Sequence, residues 1–332
     1  MQRNFTFPKR VRLLPAHLAG SLAIVAACAG GDRPATDTTA AGTDSAAGTA
    51  TAPARRVAGD SGFSTPESVL WDSAGSAWFV SNIDGDPTGK DNNGFISRLR
   101  SDGTVDSLRF IAGGRGGAPL HAPKGMAARG NELWVSDIDA VHVFNKTTGA
   151  HMAHYDLKPR GAVFLNDVAA GPDGTIYITD SAFGFGASGP TRAGPDRIFR
   201  IDPASRTVSI AFQADSALGY ANGITWDATG NRFIIGSFGT GNIFAWKPGD
   251  STATVLATGP GQFDGVEVTR DGRILVSSWT DSTVSMVSGS GVTKVITGVP
   301  TPADIGLDRQ TNRVAVPIFT LGRVEIWELG SR

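Results

Sequence analysis

Leu165-Asn166-Asp167-Val168-Ala169, the turn Asp173-Gly174 and Thr175-Ile176-Tyr177-Ile178 carry a plan that the rest of the chain repeats. Apolar and polar residues alternate through both short runs, the period-2 signature of strands, and Asp-Gly between them marks a tight turn. Two further strand-like runs follow, Arg197 to Ile201 and Val208 to Phe212. On the N-terminal side the plan recurs as Pro66 to Asp72 running into Ala77 to Val80, and as Pro123 to Ala127 running into Leu133 to Val135. On the C-terminal side it recurs from Ala221 into Arg232 to Ile235, from Phe263 into Arg273 to Val276, and from Ala303 into Arg313 to Val316. Four short strands in each of six units, at intervals of roughly 40–57 residues, predict an all-β chain folded as a six-bladed β-propeller with four-stranded blades. The last unit stops at Leu329 one strand short, and Arg55-Arg56-Val57-Ala58 ahead of the first is expected to supply it. Closing the ring in this way hides the strand edges.

Composition agrees with a turn-dense sheet protein. The 332 residues include 43 Gly and 18 Pro, only 18% are charged, and 40% are hydrophobic, enough for a large core. A formal net charge of −1, with no basic run in the body of the chain, removes the electrostatic case for nucleic acid.

The N-terminus reads as an export signal. Arg3, Lys9, Arg10 and Arg12 precede an apolar stretch from Leu13 to Ala27, too short to span a bilayer, and small residues close it. Cys28, the single cysteine of the chain, follows Val25-Ala26-Ala27, which matches the lipobox of bacterial lipoproteins. Ordinary cleavage after Ala29 satisfies the same pattern. The expected organisation is a signal at 1–27, an Ala/Thr/Gly-rich disordered tether at 28–54 and the propeller at 55–332. The product would be exported and lipid-anchored through Cys28 on a bacterial membrane, facing the periplasm or exterior, as a monomer. Losing residues 1–27 removes four positive charges and leaves a mature net charge of −5.

Aligning the six units brings out one position, occupied by Glu67, Lys124, Asn166, Asn222, Asp264 and Asp304. Each opens the first strand of its blade, the strand that lines a propeller's channel, so the six are expected to ring the channel mouth. Carboxylate and carboxamide oxygens without a soft ligand suit a hard cation such as Ca²⁺, Mg²⁺ or Mn²⁺. Three acids and one lysine leave a charge of −2, which one divalent ion would neutralise. Without an ion, at least one carboxyl should be driven toward protonation. A polar ring around water, with Lys124 paired to Glu67 or Asp304, accounts for the same residues.

The segments around Glu67, Asn166-Asp167, Asn222-Gly223 and Asp264-Gly265 resemble the gluconolactonase family that includes senescence marker protein and luciferin-regenerating enzyme. The resemblance spans Phe63 to Leu329. It implies a six-bladed propeller with one divalent cation, Ca²⁺ ahead of Mn²⁺, Mg²⁺ or Zn²⁺. Matched position by position, Glu67, Asn222 and Asp264 correspond to metal ligands, Asn166 lies next to metal or substrate, and Asp264 is the candidate general base. The family's lactonases often carry an Arg two residues before the Asn that matches Asn166; here that residue is Phe164, which argues against sugar-acid lactones. The related paraoxonases have a Pro-His-Gly stretch where this chain has Pro123-Lys124-Gly125, so their two-histidine mechanism does not transfer.

The expected function is a divalent-metal-dependent hydrolase of a lactone or related ester. Asp264 and Lys124 would act at the reacting centre, and Asn166, Phe164 and Asp304 would contact a small-molecule substrate. A non-catalytic exported propeller serving as binding module or scaffold is the alternative, since fold alone does not choose. The inserts Asn82–Gly94 and Ala182–Pro195 both leave the end of a second strand and are expected to border the channel mouth. Asn82-Ile83-Asp84-Gly85-Asp86 begins like a calcium loop, but Pro87 stands where an EF-hand needs Gly. His121 is the one histidine worth testing; His142, His151 and His154 read as surface or turn residues. The chain has no GxSxG elbow, P-loop or dinucleotide fingerprint.

Overall fold

Carboxylates set many of the turns. At the end of the first strand in three blades, Asp72, Asp227 and Asp308 accept backbone N–H groups two residues on, from Ala74, Thr229 and Gln310. Four residues after each Asp, Ser76, Asn231 and Asn312 take left-handed φ angles of 50°, 50° and 55°. This Asx-type turn reverses the chain without a glycine at its left-handed position. The other three hairpins use Gly130, Gly174 and Gly272 at φ 58°, 80° and 81°.

The computed structural model describes residues 53–186 and 189–330. The signal segment, Cys28 and all but the last two residues of the expected tether lie outside them. The described chain forms six four-stranded antiparallel sheets, each traversed from channel to rim. The first strands are Pro66–Asp72, Pro123–Arg129, Leu165–Ala170, Ala221–Asp227, Phe263–Val268 and Gly306–Asp308. The outermost strand of the sixth blade is Arg55–Ser61, paired antiparallel with Arg323–Glu328. The N-terminal strand thus closes the ring, three residues longer than the sequence indicated.

Six apolar clusters hold the blades, and each joins two neighbours. Trp134, Val141 and Val143 of blade two meet Leu165, Ile178 and Phe199 of blade three. Val69, Trp78 and Val80 of blade one meet Ala315, Val324 and Ile326 of blade six across the closure. Burial between blades, more than within them, stabilises the ring.

One ion pair is nearly as buried as the core. Lys146 Nζ, just beyond the third strand of blade two, lies 2.6 Å from Asp72 Oδ1 of blade one, with side chains 10% and 6% exposed. Lys146→Met removes the charge and leaves Asp72 without its counter-ion. The expected loss is about 3 kcal/mol in urea unfolding. A loss below about 1 kcal/mol would show that the pair behaves like an exposed one.

Candidate functional site

The first strands do not run regularly into the channel. Their pairing with the second strands slips between Pro66 and Ser68, Pro123 and Met126, Leu165 and Val168, Ala221 and Ile224, and Phe263 and Val266. Each slip contains one residue of the ring: Glu67, Lys124, Asn166, Asn222 or Asp264. A β-bulge re-aims the side chain it carries, so the bulges turn these groups away from the regular strand alternation. In blade six the strand begins only at Gly306, and Asp304 lies before it. Asp304 forms a parallel bridge with Ser68: its N–H donates to Glu67 O at 2.8 Å and its carbonyl accepts from Val69 N at 3.0 Å.

Buried hydroxyls hold the bulges. Ser81, Ser136, Thr179 and Ser277 occupy matching places in the second strands and are wholly buried. Ser81, Thr179 and Ser277 accept the N–H of Ser68, Asp167 and Gly265 at 2.9, 3.0 and 2.9 Å. Three of the hydroxyls also donate to the next blade: Ser136 to the Asn166 carbonyl, Thr179 to Asn222 O at 2.6 Å and Ser277 to Ala303 O at 2.8 Å. The repeated pairs Val80-Ser81, Val135-Ser136, Ile178-Thr179 and Val276-Ser277 are the sequence signal for this scaffold.

The residue after each ring position brings neighbouring backbones together. A Cβ on Gly223 would stand 2.2 Å from Asp264 O, and one on Gly265 2.2 Å from Ile305 N. Blade three has Asp167 at this place. Its carboxylate accepts N–H groups from Val168 at 2.6 Å and, across the blade boundary, from Ile224 at 2.7 Å.

All six ring side chains are buried, none more than 6% exposed. Burial pushes the Asp264 carboxyl up to about 8; the Trp279 indole opposes this and the Asp167 charge adds to it. Burial likewise raises Asp167 to about 7 against the pull of its two backbone donors. Glu67 lies well above the ordinary carboxylate range, through burial and then Asp264, with Lys124 opposing. Asp304 is raised by burial and then by Asp167 and Glu67. These groups feel one another's charge, and the drive toward protonation expected from the excess of acid is present. Lys124 is shifted down by burial, against the attraction of Glu67, Asp137 and Asp139.

The donor set fits a hard divalent cation. Glu67 Oε2, Asn222 Oδ1 and Asp264 Oδ1 are buried and have no hydrogen-bond partner. Buried acceptors are seldom left unpaired, and here three come from the positions that match the family's ligands. Asn166 donates Nδ2 to Ser181 Oγ at 3.1 Å, which fixes its carboxamide. Among the described residues no group of three or more His, Cys, Asp or Glu is arranged for a metal. The set here instead mixes two carboxylates with carboxamide oxygens, the chemistry of Ca²⁺, Mg²⁺ and Mn²⁺.

Lys124 has its donors engaged. Nζ donates to Ala122 O at 3.0 Å and Pro87 O at 3.3 Å, and lies 4.3 Å from the centre of the Phe164 ring. It therefore pins the Asn82–Gly94 insert to the mouth. Lys90 and Asp139, at 2.7 Å, pin it again, as does His121, whose Nδ1 accepts the Asn92 N–H at 3.0 Å. The expected surface placement holds for His154, which is exposed on the fourth strand of blade two, and His151 on that strand is half-buried. It needs correction for His142, whose ring is buried on the third strand and stacked against His154 at 5.0 Å.

An arc of aromatic rings follows the mouth. Phe164 meets Phe183 of the second insert at 5.6 Å, and Phe183 meets both Tyr220 at 4.6 Å and Phe238 at 5.7 Å. Phe238 then meets Trp279 at 5.5 Å, and Trp279 meets Phe319 at 5.2 Å. The arc starts two residues before Asn166 and reaches Asp264 through Trp279. The Trp279 indole lowers the Asp264 pKa, yet Trp279 Nε1 and Asp264 Oδ1 are both buried without a well-aligned partner. Proximity without alignment reconciles these facts. Farther along the first strands lies a separate cavity of about 500 Å³, lined by Trp71, Trp226, Glu267 and Arg309, with Asp167 and Asp304 also on its wall.

A six-bladed propeller whose bulged inner strands gather buried oxygens at one mouth defines a class of protein. This chain belongs to the SMP-30/Gluconolactonase/LRE-like family, whose profile matches residues 65–306. Among solved structures, a protein assigned as a gluconolactonase aligns with a TM-score of 0.61 at 18% identity, over 84% of this chain and 93% of its own. Luciferin-regenerating enzyme aligns at 0.60 and 14% identity, over 82% of this chain and 92% of its own. A gluconolactonase from Xanthomonas campestris aligns at 0.59 and 20%, over 84% and 96%. At such identities these likenesses establish the fold. No curated protein matches the sequence.

Proposed function

We propose that this protein is a divalent-metal-dependent hydrolase of a lactone or related ester, working at the mouth that carries Glu67, Asn222 and Asp264. The observation that supports this reading best is the set of three buried, unpartnered oxygens on those side chains. They would hold the cation with Asn166 beside them, and the ion, when bound, would supply Lewis-acid polarisation of the substrate carbonyl. Asp264 is the base. With the cation in place its carboxylate would be ionised and could accept a proton from the attacking water. Water adds to the carbonyl carbon, the C–O bond to the leaving oxygen breaks, and the proton taken by Asp264 passes to that oxygen. A hydroxy acid results. Lys124 offsets part of the negative charge around Glu67 and holds the first insert in place, while Phe164 and Asp304 would contact the substrate.

Metal analysis of the purified protein tests this reading. One equivalent of Ca²⁺, Mn²⁺, Mg²⁺ or Zn²⁺ is expected, lost in Asp264→Ala, with lactone or ester turnover that EDTA removes and the ion restores. A metal-free protein that none of these ions stabilises against heat would overturn the mechanism and favour a non-catalytic binding module.

A further inference from the structure

Resting on the hydrolase reading above, we infer that the substrate carries a flat apolar group, an aromatic ring or its equivalent, seated in the arc between Phe164 and Trp279, and that sugar-acid lactones are poor substrates.

Phe183 stands at 88° to both Phe164 and Phe238, and Phe238 at 77° to Trp279, so neighbouring rings pack edge to face and form a continuous apolar rim along the mouth. Rings turned in several directions leave both edges and faces open at the rim, surface that suits another apolar ring. Phe183, Tyr220, Phe238 and Trp279 are only partly buried, unlike the rings of the interblade cores, so apolar surface remains open at the mouth. Phe185 extends this surface at the rim with 54% of its area exposed.

Polar partners are scarce along the same rim. A sugar-acid lactone brings several hydroxyls, each of which needs a donor or acceptor once it leaves water. Lys124 has its donors on two carbonyls and the Phe164 face. Arg192, over the Tyr220 ring at 4.2 Å, is held by Asp196 at 2.9 Å. The Trp279 N–H faces Asp264. An apolar ring leaves nothing unpaired there, and its position in the arc would bring an adjoining ester carbonyl to Glu67, Asn222 and Asp264.

The test compares dihydrocoumarin, an aryl lactone, with glucono-δ-lactone, and follows binding of the lactam 3,4-dihydro-2-quinolinone by calorimetry. The aryl lactone should be preferred in kcat/KM by about 10²-fold. Phe183→Ala should raise its KM about tenfold with little change in kcat, and weaken lactam binding by the same factor. Phe183→Leu, which keeps most of the bulk, separates loss of the ring from loss of fold and should show the same weakening. Gluconolactone turned over as well as the aryl lactone overturns the inference and leaves the hydrolase reading standing. If neither lactone is hydrolysed, the hydrolase reading fails by itself. Lactam binding sensitive to Phe183 then still supports the aromatic seat, and its absence overturns it.

Discussion

Replacing Asp264 by Asn lowers kcat/KM by about 10²–10⁴-fold while the propeller stays folded, and the physical reasons for the two halves of that result differ. Turnover falls because the amide cannot accept the proton from water and offers a cation one neutral oxygen in place of a charged one. Folding survives because the carboxyl contributes little to the native state without an ion. It is 3% exposed, Oδ1 has no partner, and burial together with Asp167 already raises its pKa to about 8. Asn keeps the shape and cannot take on the charge that would repel Glu67 and Asp304. The melting temperature in EDTA is therefore expected to stay level or rise. Asp106→Asn, an exposed acid 2.6 Å from Arg98, is the control and should leave turnover unchanged. Turnover of Asp264→Asn within about threefold of the parent would remove Asp264 from the chemistry, because a general base contributes far more than that.

The ring was legible because its members share one place in a repeat. Glu67, Asn166, Asn222 and Asp264 each break an apolar strand at the same distance from a turn, and the closing strand could be inferred from a final unit that ran out early. What makes the ring work was less visible. The bulges follow from backbone pairing between residues whose sequence alternation looks regular, so strand periodicity does not display them. The buried Ser and Thr of the second strands were present in the sequence as a repeat, but a hydroxyl in a strand is ordinary until its partner in the next blade is known. The aromatic arc was out of reach for a different reason. Phe164, Phe183, Tyr220, Phe238, Trp279 and Phe319 come from separate connections with no shared motif, and only closure of the ring assembles them. Phe164 was marked as the residue that replaces an Arg; its company could not be. His142 was misplaced because the strand it occupies looks polar from sequence, while stacking on His154 and the neighbouring Asp137 allow its ring to be buried.

The ion-free protein should lose stability as pH rises from 5 to 8, and a divalent cation should offset part of that loss. The sign follows from proton counts. In the unfolded chain Asp264 and Asp167 titrate near 3.8; in the folded protein they titrate near 8 and 7. Between those limits the folded state binds more protons, so folding is favoured at low pH and weakens as pH climbs. The stability is fully present below about pH 4 and gone above the folded pKa. Each fully titrating group contributes about 1.4 kcal/mol per pH unit, so Asp264 alone accounts for a change on the order of 5 kcal/mol. Glu67 and Asp304, raised in the same direction, extend the trend. A cation competes with these protons and binds the carboxylates only once they are released, so its affinity grows over the same interval. Thermal melts in EDTA and in 5 mM Ca²⁺ or Mn²⁺ should nearly coincide at pH 5 and separate by about 5–10 °C at pH 8, the shift expected of an ion present at about a hundred times its Kd. In Asp264→Asn both the slope in EDTA and the separation at pH 8 should shrink together, since one carboxyl supplies part of each. A stability that rises with pH in EDTA would mean that these carboxyls are ionised and paired in the native state. The buried oxygens at the mouth would then have partners of their own, and the case for a cation there would fall with them.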